Sequence, residues 1–263
     1  MTFSVVCYDS EEKKWGVGVA SRFLSVGSVV PWAQAGVGCI ATQSYANYTY
    51  GPDGLELLKS MDSQKTIETL TSRDDLRERR QVGAVDSTGK AFAFTGKECH
   101  DYAGHIVGKN YSVQGNILAG PSVLEAMARE IEKPGKLEDR ILAALFAAEG
   151  QGGDKRGRQS ASILIVSEKE PFEEGSDVYM DIRVEDSPDP LPELRRIMGI
   201  WLATFHETEY LKISEHETEI KEALSKTSFS TLDEWVDANN LDFKMRDGEI
   251  GFYAMRCLKG YYL

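Results

Sequence analysis

The order in which strand-like and helix-like segments follow one another constrains this chain more than any single residue does. Apolar runs suited to strands come in groups, and helical spacing comes in pairs between the groups. Residues 3–8 and 15–20 are two such runs joined by the polar turn 9–13, which reads as a hairpin. Gly16 and Gly18 share one face of the second run, where a missing side chain lets another layer or a ligand approach the backbone closely. Residues 37–42 read as a buried strand. Gly51-Pro52-Asp53-Gly54 reads as a turn, after which Leu55, Leu57, Leu58 and Met61 line one helical face, and residues 64–70 suggest a second helical piece. The mixed-sign run 72–80 reads as a solvated loop or face. A second hairpin joins 82–85 to 91–94 through Asp86-Ser87-Thr88-Gly89, with Gly89 suited to a left-handed turn position. Residues 106–107 and 111–113 extend that group. Helices open at Gly120-Pro121 and at Leu137, separated by Pro134-Gly135. Strands at 161–166 and 178–184 end the series.

Strands grouped in this way do not build a doubly wound sheet, in which strands and helices alternate singly. The expected class is α+β, with two mainly antiparallel sheets stacked face to face and covered by helix pairs. From Ser187-Pro188-Asp189-Pro190 onward the pattern turns helical, over 191–205 and 207–226, with short helices at 232–236 and 250–258. The expected division is a domain over 1–187 and a helical C-terminal module over 188–263. An apolar content of 41% is ample for a core of this size.

Composition narrows the function classes. The formal net charge is −12, and an acidic surface repels phosphate backbones and anionic headgroups, so neither nucleic acid nor membrane is expected as a partner. No apolar run approaches bilayer length, and the first residues lack the basic and apolar stretches of a signal peptide, so a cytoplasmic location is expected. Cys7, Cys39, Cys99 and Cys257 are scattered and are expected as free thiols. His100, His105, His206 and His216 show no zinc-ligand spacing. A nucleophile elbow, a Walker A loop and a dinucleotide fingerprint are all missing, and no cofactor or metal is expected.

Several runs carry a family resemblance. They are Thr2-Phe3-Ser4-Val5-Val6, Val19-Ala20-Ser21-Arg22-Phe23-Leu24-Ser25-Val26-Gly27, Val30-Pro31-Trp32, Ala41-Thr42-Gln43, Tyr50-Gly51-Pro52, Arg80-Gln81-Val82-Gly83, Phe94-Thr95-Gly96 and Ala103-Gly104-His105. Tyr111-Ser112-Val113-Gln114-Gly115-Asn116-Ile117-Leu118 and the stretch from Gly152 to Ser160 complete the set. Residues 2 to about 186 thus resemble domain of unknown function 1028, a family grouped with the N-terminal nucleophile (Ntn) hydrolases. The resemblance implies a four-layer αββα sandwich. It also implies a nucleophile at Thr2, once Met1 is removed, in the manner of proteasome β-subunits. This chain has Ala20-Ser21-Arg22 near the place of the supporting Asp of those subunits, and no matching Lys. Residues 231–260 resemble the family's optional C-terminal piece, which has been described as peptidoglycan-binding.

The candidate chemistry follows. The Thr2 hydroxyl attacks a carbonyl while its own α-amine takes the proton; with an ordinary pKa near 7.7–8.0, a useful fraction of that amine is neutral. Gln43, Gln114 and Asn116 lie at strand ends, where side-chain amides can hold an oxyanion or orient a substrate amide. Arg22, Asp154 and Arg158, the last two in the Gly-rich loop 150–160, form an expected anion site; Asp154 and Arg158 equally suit a mutual structural brace. The expected activity is hydrolysis of a small amide or peptide-like substrate. Two alternatives stay open: an inactive scaffold of the same fold binding a small polar or peptide-like ligand, and an assembly protein. A two-fold homodimer is also expected, since Trp201, Phe205, Tyr210, Tyr261 and Tyr262 supply aromatic area of the kind interfaces favour.

Overall fold

A computed structural model describes residues 2–262; Met1, on whose removal the nucleophile assignment depends, and Leu263 lie outside the described residues. The chain divides into two compact units, Met1–Leu191 and Pro192–Leu263. The first unit opens with the hairpin β1 (Thr2–Asp9) and β2 (Lys14–Ser21), followed by β3 (Pro31–Gln34) and β4 (Gly38–Gln43). Helices α1 (Tyr50–Leu58) and α2 (Ser63–Ser72) come next, then β5 (Gln81–Asp86), β6 (Ala91–Thr95), β7 (Gly104–Gly108) and β8 (Tyr111–Asn116). Helices α3 (Ser122–Ile131) and α4 (Leu137–Gly150) precede the last strands, β9 (Ser160–Ser167) and β10 (Val178–Val184).

These strands form two antiparallel sheets. One runs β10-β9-β2-β1-β8-β7 and the other β3-β4-β5-β6. The sheets meet face to face through β1 against β4 and β5, β2 against β3, and β8 against β5. Strand alternation explains why they do. Along β1, Thr2, Ser4, Val6 and Tyr8 point to one face while Phe3, Val5 and Cys7 point to the other. The first set enters the layer between the sheets, where Val6, Tyr8, Trp15, Val17 and Cys39 pack into one core. That layer is apolar at the Tyr8–Trp15 end and polar at the Thr2–Ser4 end.

Helices α3 and α4 cover the far side of the six-stranded sheet, against β1, β2, β7 and β8. The close approach foreseen at Gly16 and Gly18 is the docking of α4, since a Cβ at either position would collide with the Ile141 side chain. Helices α1 and α2 cover the other sheet, with Ile40, Tyr50, Leu58, Ile67, Leu70 and Val82 in their shared core. Asp86, 3% exposed, ties the β5–β6 turn to α2: it accepts from the Thr88 and Lys90 amides and from the Ser63 amide at 3.2 Å.

Several expectations need correction. Gly51-Pro52-Asp53-Gly54 is the first part of α1, not a turn. Proline is tolerated in a first helical turn because its missing N–H has no partner there anyway. Gly51 lies against the Trp32 ring and Gly54 against Ile40, so these glycines serve packing. The run 72–80 is not simply a solvated loop: after a 3₁₀ turn at Arg77–Arg79, Arg80 turns inward and its side chain is 14% exposed.

The second unit contains most of α5 (Pro190–Phe205), which begins just before the division, and a small sheet of β11 (Tyr210–Lys212), β13 (Glu249–Gly251) and β12 (Met245–Arg246). Its remaining helices are α6 (Ile213–Leu224), α7 (Leu232–Ala238) and α8 (Phe252–Leu258). The helices expected over 207–226 and 250–258 are thus each preceded by a strand. A capping box between Thr231 and Glu234 starts α7. Glu207, 8% exposed, accepts from the Tyr253 and Ala254 amides at the head of α8, and burial raises its pKa. Eight α-helices are present among the described residues.

Replacing Gly18 by Val tests the docking of α4. The atom in the way is Ile141 Cγ2, close to the helix backbone and unable to swing aside. Gly18→Val is expected to lower stability by about 1–3 kcal/mol in urea unfolding, as overpacking does.

Candidate functional site

Thr2 begins β1 and is paired on both sides, with Ser21 of β2 and Asn116 of β8. Residues directly opposite each other in antiparallel strands share a face. Ser21 is in turn opposite Ser160, so a row of four small polar side chains crosses the sheet: Ser160, Ser21, Thr2 and Asn116. The Thr2 hydroxyl lies 3.1 Å from the Ser21 hydroxyl. Thr2 is 6% exposed and lines a cleft of about 450 Å³.

Behind this row the second sheet contributes two amides. Gln43 Nε2 donates to Gln81 Oε1 at 2.8 Å and to the Gln114 carbonyl at 3.3 Å, with a longer contact to the Thr2 carbonyl. Gln43 Oε1 accepts from the Ser4 hydroxyl at 2.7 Å. Gln81 Nε2 donates to the Gly115 carbonyl at 2.8 Å, and its Oε1 also accepts from Asn116 Nδ2 at 3.0 Å. Gln114 Nε2 donates to Ser4 Oγ at 2.7 Å, and Gln114 Oε1 accepts from Ser112 at 2.8 Å. Ser4, Gln43, Gln81, Gln114 and Asn116 are all buried. They form one connected network between the sheets.

The remaining cleft wall is mixed. Phe23, Val26, Val29, Val30 and Tyr48 give it an apolar side, while Arg80 and Arg156 bring cations. Gln43 is followed by Ser44 and Tyr45, both in the left-handed region with φ 58° and 50°. Ile117, after Asn116, has φ 53°, an outlier for a β-branched residue. Strained backbone of this kind gathers at functional sites because the surrounding fold must hold it there.

Arg80 is fixed by Asp74, whose carboxylate accepts from Arg80 Nε at 2.9 Å, Asn47 Nδ2 at 3.1 Å, Tyr50 Oη at 3.1 Å and the Leu76 amide at 2.8 Å. Burial alone would raise the Asp74 pKa, but these donors together outweigh it and hold it at about 2. Arg80 also donates to the Tyr45 carbonyl, which anchors the strained turn.

Of the residues expected from sequence, Thr2 and Gln43 meet at this cleft, and Asn116 lines an adjoining hollow of about 350 Å³ with Ser44, Tyr45, His100, Ile117 and Arg156. Gln114 belongs to the network and lines neither. Arg22, Asp154 and Arg158 line neither of these hollows. Asp154 Oδ2 accepts from the Arg22 amide at 2.8 Å and pairs with Arg156 at 3.4 Å. Arg22 Nη1 donates to the Arg158 carbonyl at 2.7 Å, while Arg158 pairs with Glu149 at 3.2 Å and Asp189 at 2.7 Å. Asp154 and Arg158 line a separate hollow of about 150 Å³ with Phe3 and Glu149. These charges brace the loop, and the brace runs through Arg156 and Glu149 instead of joining Asp154 to Arg158.

Sequence reasoning missed Ser4, Ser21, Gln81 and Arg80, and placed Arg156 only as one cation of the Gly-rich loop 150–160. A polar residue inside an otherwise apolar strand, as at Ser4, was the available signal, because buried polar groups persist only with partners. Nothing local distinguished Arg156 from Arg158. Among the described residues there is no cluster of His, Cys, Asp and Glu suited to a metal ion, and no helix is long and apolar enough to cross a membrane.

The class defined so far is an α+β protein with two facing antiparallel sheets and a small-molecule-sized cleft at the head of its first strand. The chain belongs to the family of unknown function DUF1028, whose model matches residues 2–194. Protein SPO2555 from Silicibacter pomeroyi, of the same family, has a crystal structure similar to this one, with 31% identity and a TM-score of 0.68 over 75% of this chain and 87% of that one. Anbu, the ancestral beta-subunit, from Yersinia bercovieri aligns at 14% identity with a TM-score of 0.38, over 81% of this chain and 100% of that one. No curated protein shows significant similarity to the chain.

The Asp74 clamp has a measurable consequence. Its folded pKa of about 2 lies below the ordinary value of 3.8, so the clamp stabilises fully above the ordinary value and loses its contribution as pH falls through the folded one. Between roughly pH 4 and pH 2 the wild-type unfolding temperature should fall more steeply than that of Asp74→Asn. Parallel slopes would show that the carboxylate is not so held.

Proposed function

We propose that the protein is an Ntn-type amidohydrolase, with the first unit arranged as a four-layer αββα sandwich and Thr2 as nucleophile. The observation that carries this reading is the Thr2 hydroxyl itself: it begins the central hairpin, lines the cleft and lies in a row of polar side chains on the inter-sheet face. With Met1 removed, the Thr2 α-amine accepts the hydroxyl proton, directly or through one water. Oγ1 adds to the amide carbonyl carbon, and the C–N bond then breaks as the leaving amine takes the proton. Water attacks the resulting ester, releases the carboxylic acid and restores the Thr2 hydroxyl.

The oxyanion needs donors that are not already committed. Gln43 and Gln114 have their amide hydrogens engaged in the network. Asn116 directs one N–H to Gln81 and stands opposite Thr2 on the same face, which makes its second N–H the side-chain donor of choice. Gln43 and Gln114 act by positioning.

One observation favours a second reading, a ligand-binding scaffold without turnover. The described residues lining the cleft include neither a carboxylate nor a lysine, and the partner the Thr2 hydroxyl has among the described residues is another hydroxyl. Without a free α-amine, no base remains there.

Intact-mass measurement on protein purified at native levels should show Thr2 at the N-terminus. Thr2→Ala should abolish amide turnover with the fold intact, and Thr2→Ser should retain part of it. Asn116→Ala should lower kcat by about 10²–10³-fold, the usual cost of one oxyanion donor. An active preparation that retains Met1 quantitatively would falsify the mechanism and leave the scaffold reading.

A further inference from the structure

The cleft at Thr2 does not end at Thr2. The two hollows described above, of about 450 Å³ and 350 Å³, share Ser44, Tyr45 and Arg156 as common walls. Their other walls differ in character. The first has Phe23, Val26, Val29, Val30 and Tyr48; the second has Asn116, Ile117 and His100. Thr2 and Asn116, paired across β1 and β8, put the nucleophile on the first hollow and the oxyanion donor on the second. A ligand reaching both residues therefore extends into both lobes.

The lobes make unlike demands on it. Phe23, Tyr45 and Tyr48 are 48%, 60% and 57% exposed, a group of large ring side chains left in solvent around one mouth. Exposed apolar groups gathered at one place mark a binding surface, and a recess of this volume beside them suits a small molecule. The 3₁₀ turn at Val26–Ser28 and the strained Ser44–Tyr45 turn hold its sides. At the junction stands Arg156, with its side chain 46% exposed and oriented by Asp154, which also accepts from the Arg156 amide at 2.8 Å. A guanidinium at the border of an apolar and a polar lobe suits a carboxylate attached beyond the scissile amide.

Building on the Thr2 reading, we infer that the substrate is an N-acyl amino acid: an apolar acyl group lies in the Phe23–Tyr48 lobe, and the amino-acid carboxylate is held by Arg156 towards Asn116. The Arg22–Arg158 region has no part in this recognition. The polarity of the two lobes sets the direction of the substrate across Thr2, with the acyl side on the apolar wall.

The test uses the full chain carrying Thr2→Ala, so that binding is measured without turnover. The probes are N-acetyl-, N-butanoyl- and N-hexanoylglycine, with N-hexanoylglycinamide as the carboxylate-free control, titrated by calorimetry. Affinity should rise roughly threefold to fourfold for each added methylene, the value expected for burying a CH₂. Phe23→Ala and Tyr48→Ala, at exposed positions where folding is not at stake, should flatten that dependence. Arg156→Ala should remove the preference of N-hexanoylglycine over its amide, a ratio that a general loosening of the loop would leave unchanged. Affinity independent of chain length, an unaltered acid-to-amide ratio in Arg156→Ala, or no binding of any probe at millimolar concentration would each overturn the assignment. Hydrolysis by the unsubstituted chain is followed separately. Chain-length-dependent binding with no hydrolysis would defeat the nucleophile while leaving the ligand class standing.

Discussion

The hydrogen-bonded network of Ser4, Gln43, Gln81, Gln114 and Asn116 is the constraint on which the rest of the first unit depends. An amide shut between two sheets costs roughly 1–3 kcal/mol for each group left unpaired, so these residues are tolerable only as a complete set. Completing it fixes the relation of the two sheets. Gln43 and Gln81 come from one sheet, Ser4, Gln114 and Asn116 from the other, and each amide reaches a partner only at one stagger. The apolar end of the same layer, around Tyr8 and Trp15, supplies burial but not register, because hydrophobic contact is non-directional.

Placing a polar cluster at one end of a core also creates an opening. The inter-sheet layer cannot close with apolar side chains where it must satisfy amides, and the row Ser160–Ser21–Thr2–Asn116 faces that end. The chain segments that border the opening are held by charge. Asp74 fixes Arg80 and so the Ser44–Tyr45 turn, and Asp154 fixes Arg156 and the Arg22 amide. Rigid borders of this kind let left-handed, non-glycine backbone persist at Ser44, Tyr45 and Ile117, and Ser44 and Tyr45 wall both hollows.

Charge placement also separates the arginines turned into the loop from the one that lines both hollows. Arg158 has two carboxylate partners, and the Arg22 guanidinium is turned to a carbonyl of the same loop. Arg156, only two positions from Arg158, lines both hollows. The local sequence around the two is equivalent in chemistry. What differs is which carboxylates the fold brings beside each, and Glu149 and Asp189 arrive from a helix end and a following segment that no short-range pattern connects to the loop.

The grouping of strands and helix pairs was legible in the residues because periods of two and 3.6 are local properties of the backbone. So was the crowding at Gly16 and Gly18, whereas Thr2 was singled out only through the family resemblance. Turn chemistry was legible at Gly89, whose φ is 88°, but misled at residues 51–54, where glycine serves the approach of Trp32 and Ile40. The short strands before α6 and α8 were invisible, since three residues carry no period of their own. Tertiary structure alone decided that Gln114 faces Ser4 instead of solvent, that Gln81 joins Gln43 to Asn116, and that Arg156 rather than Arg22 or Arg158 reaches the Thr2 cleft. A hydrogen-bond partner is a fact about distance in space, and residues separated by tens of positions become neighbours only after the sheets have stacked.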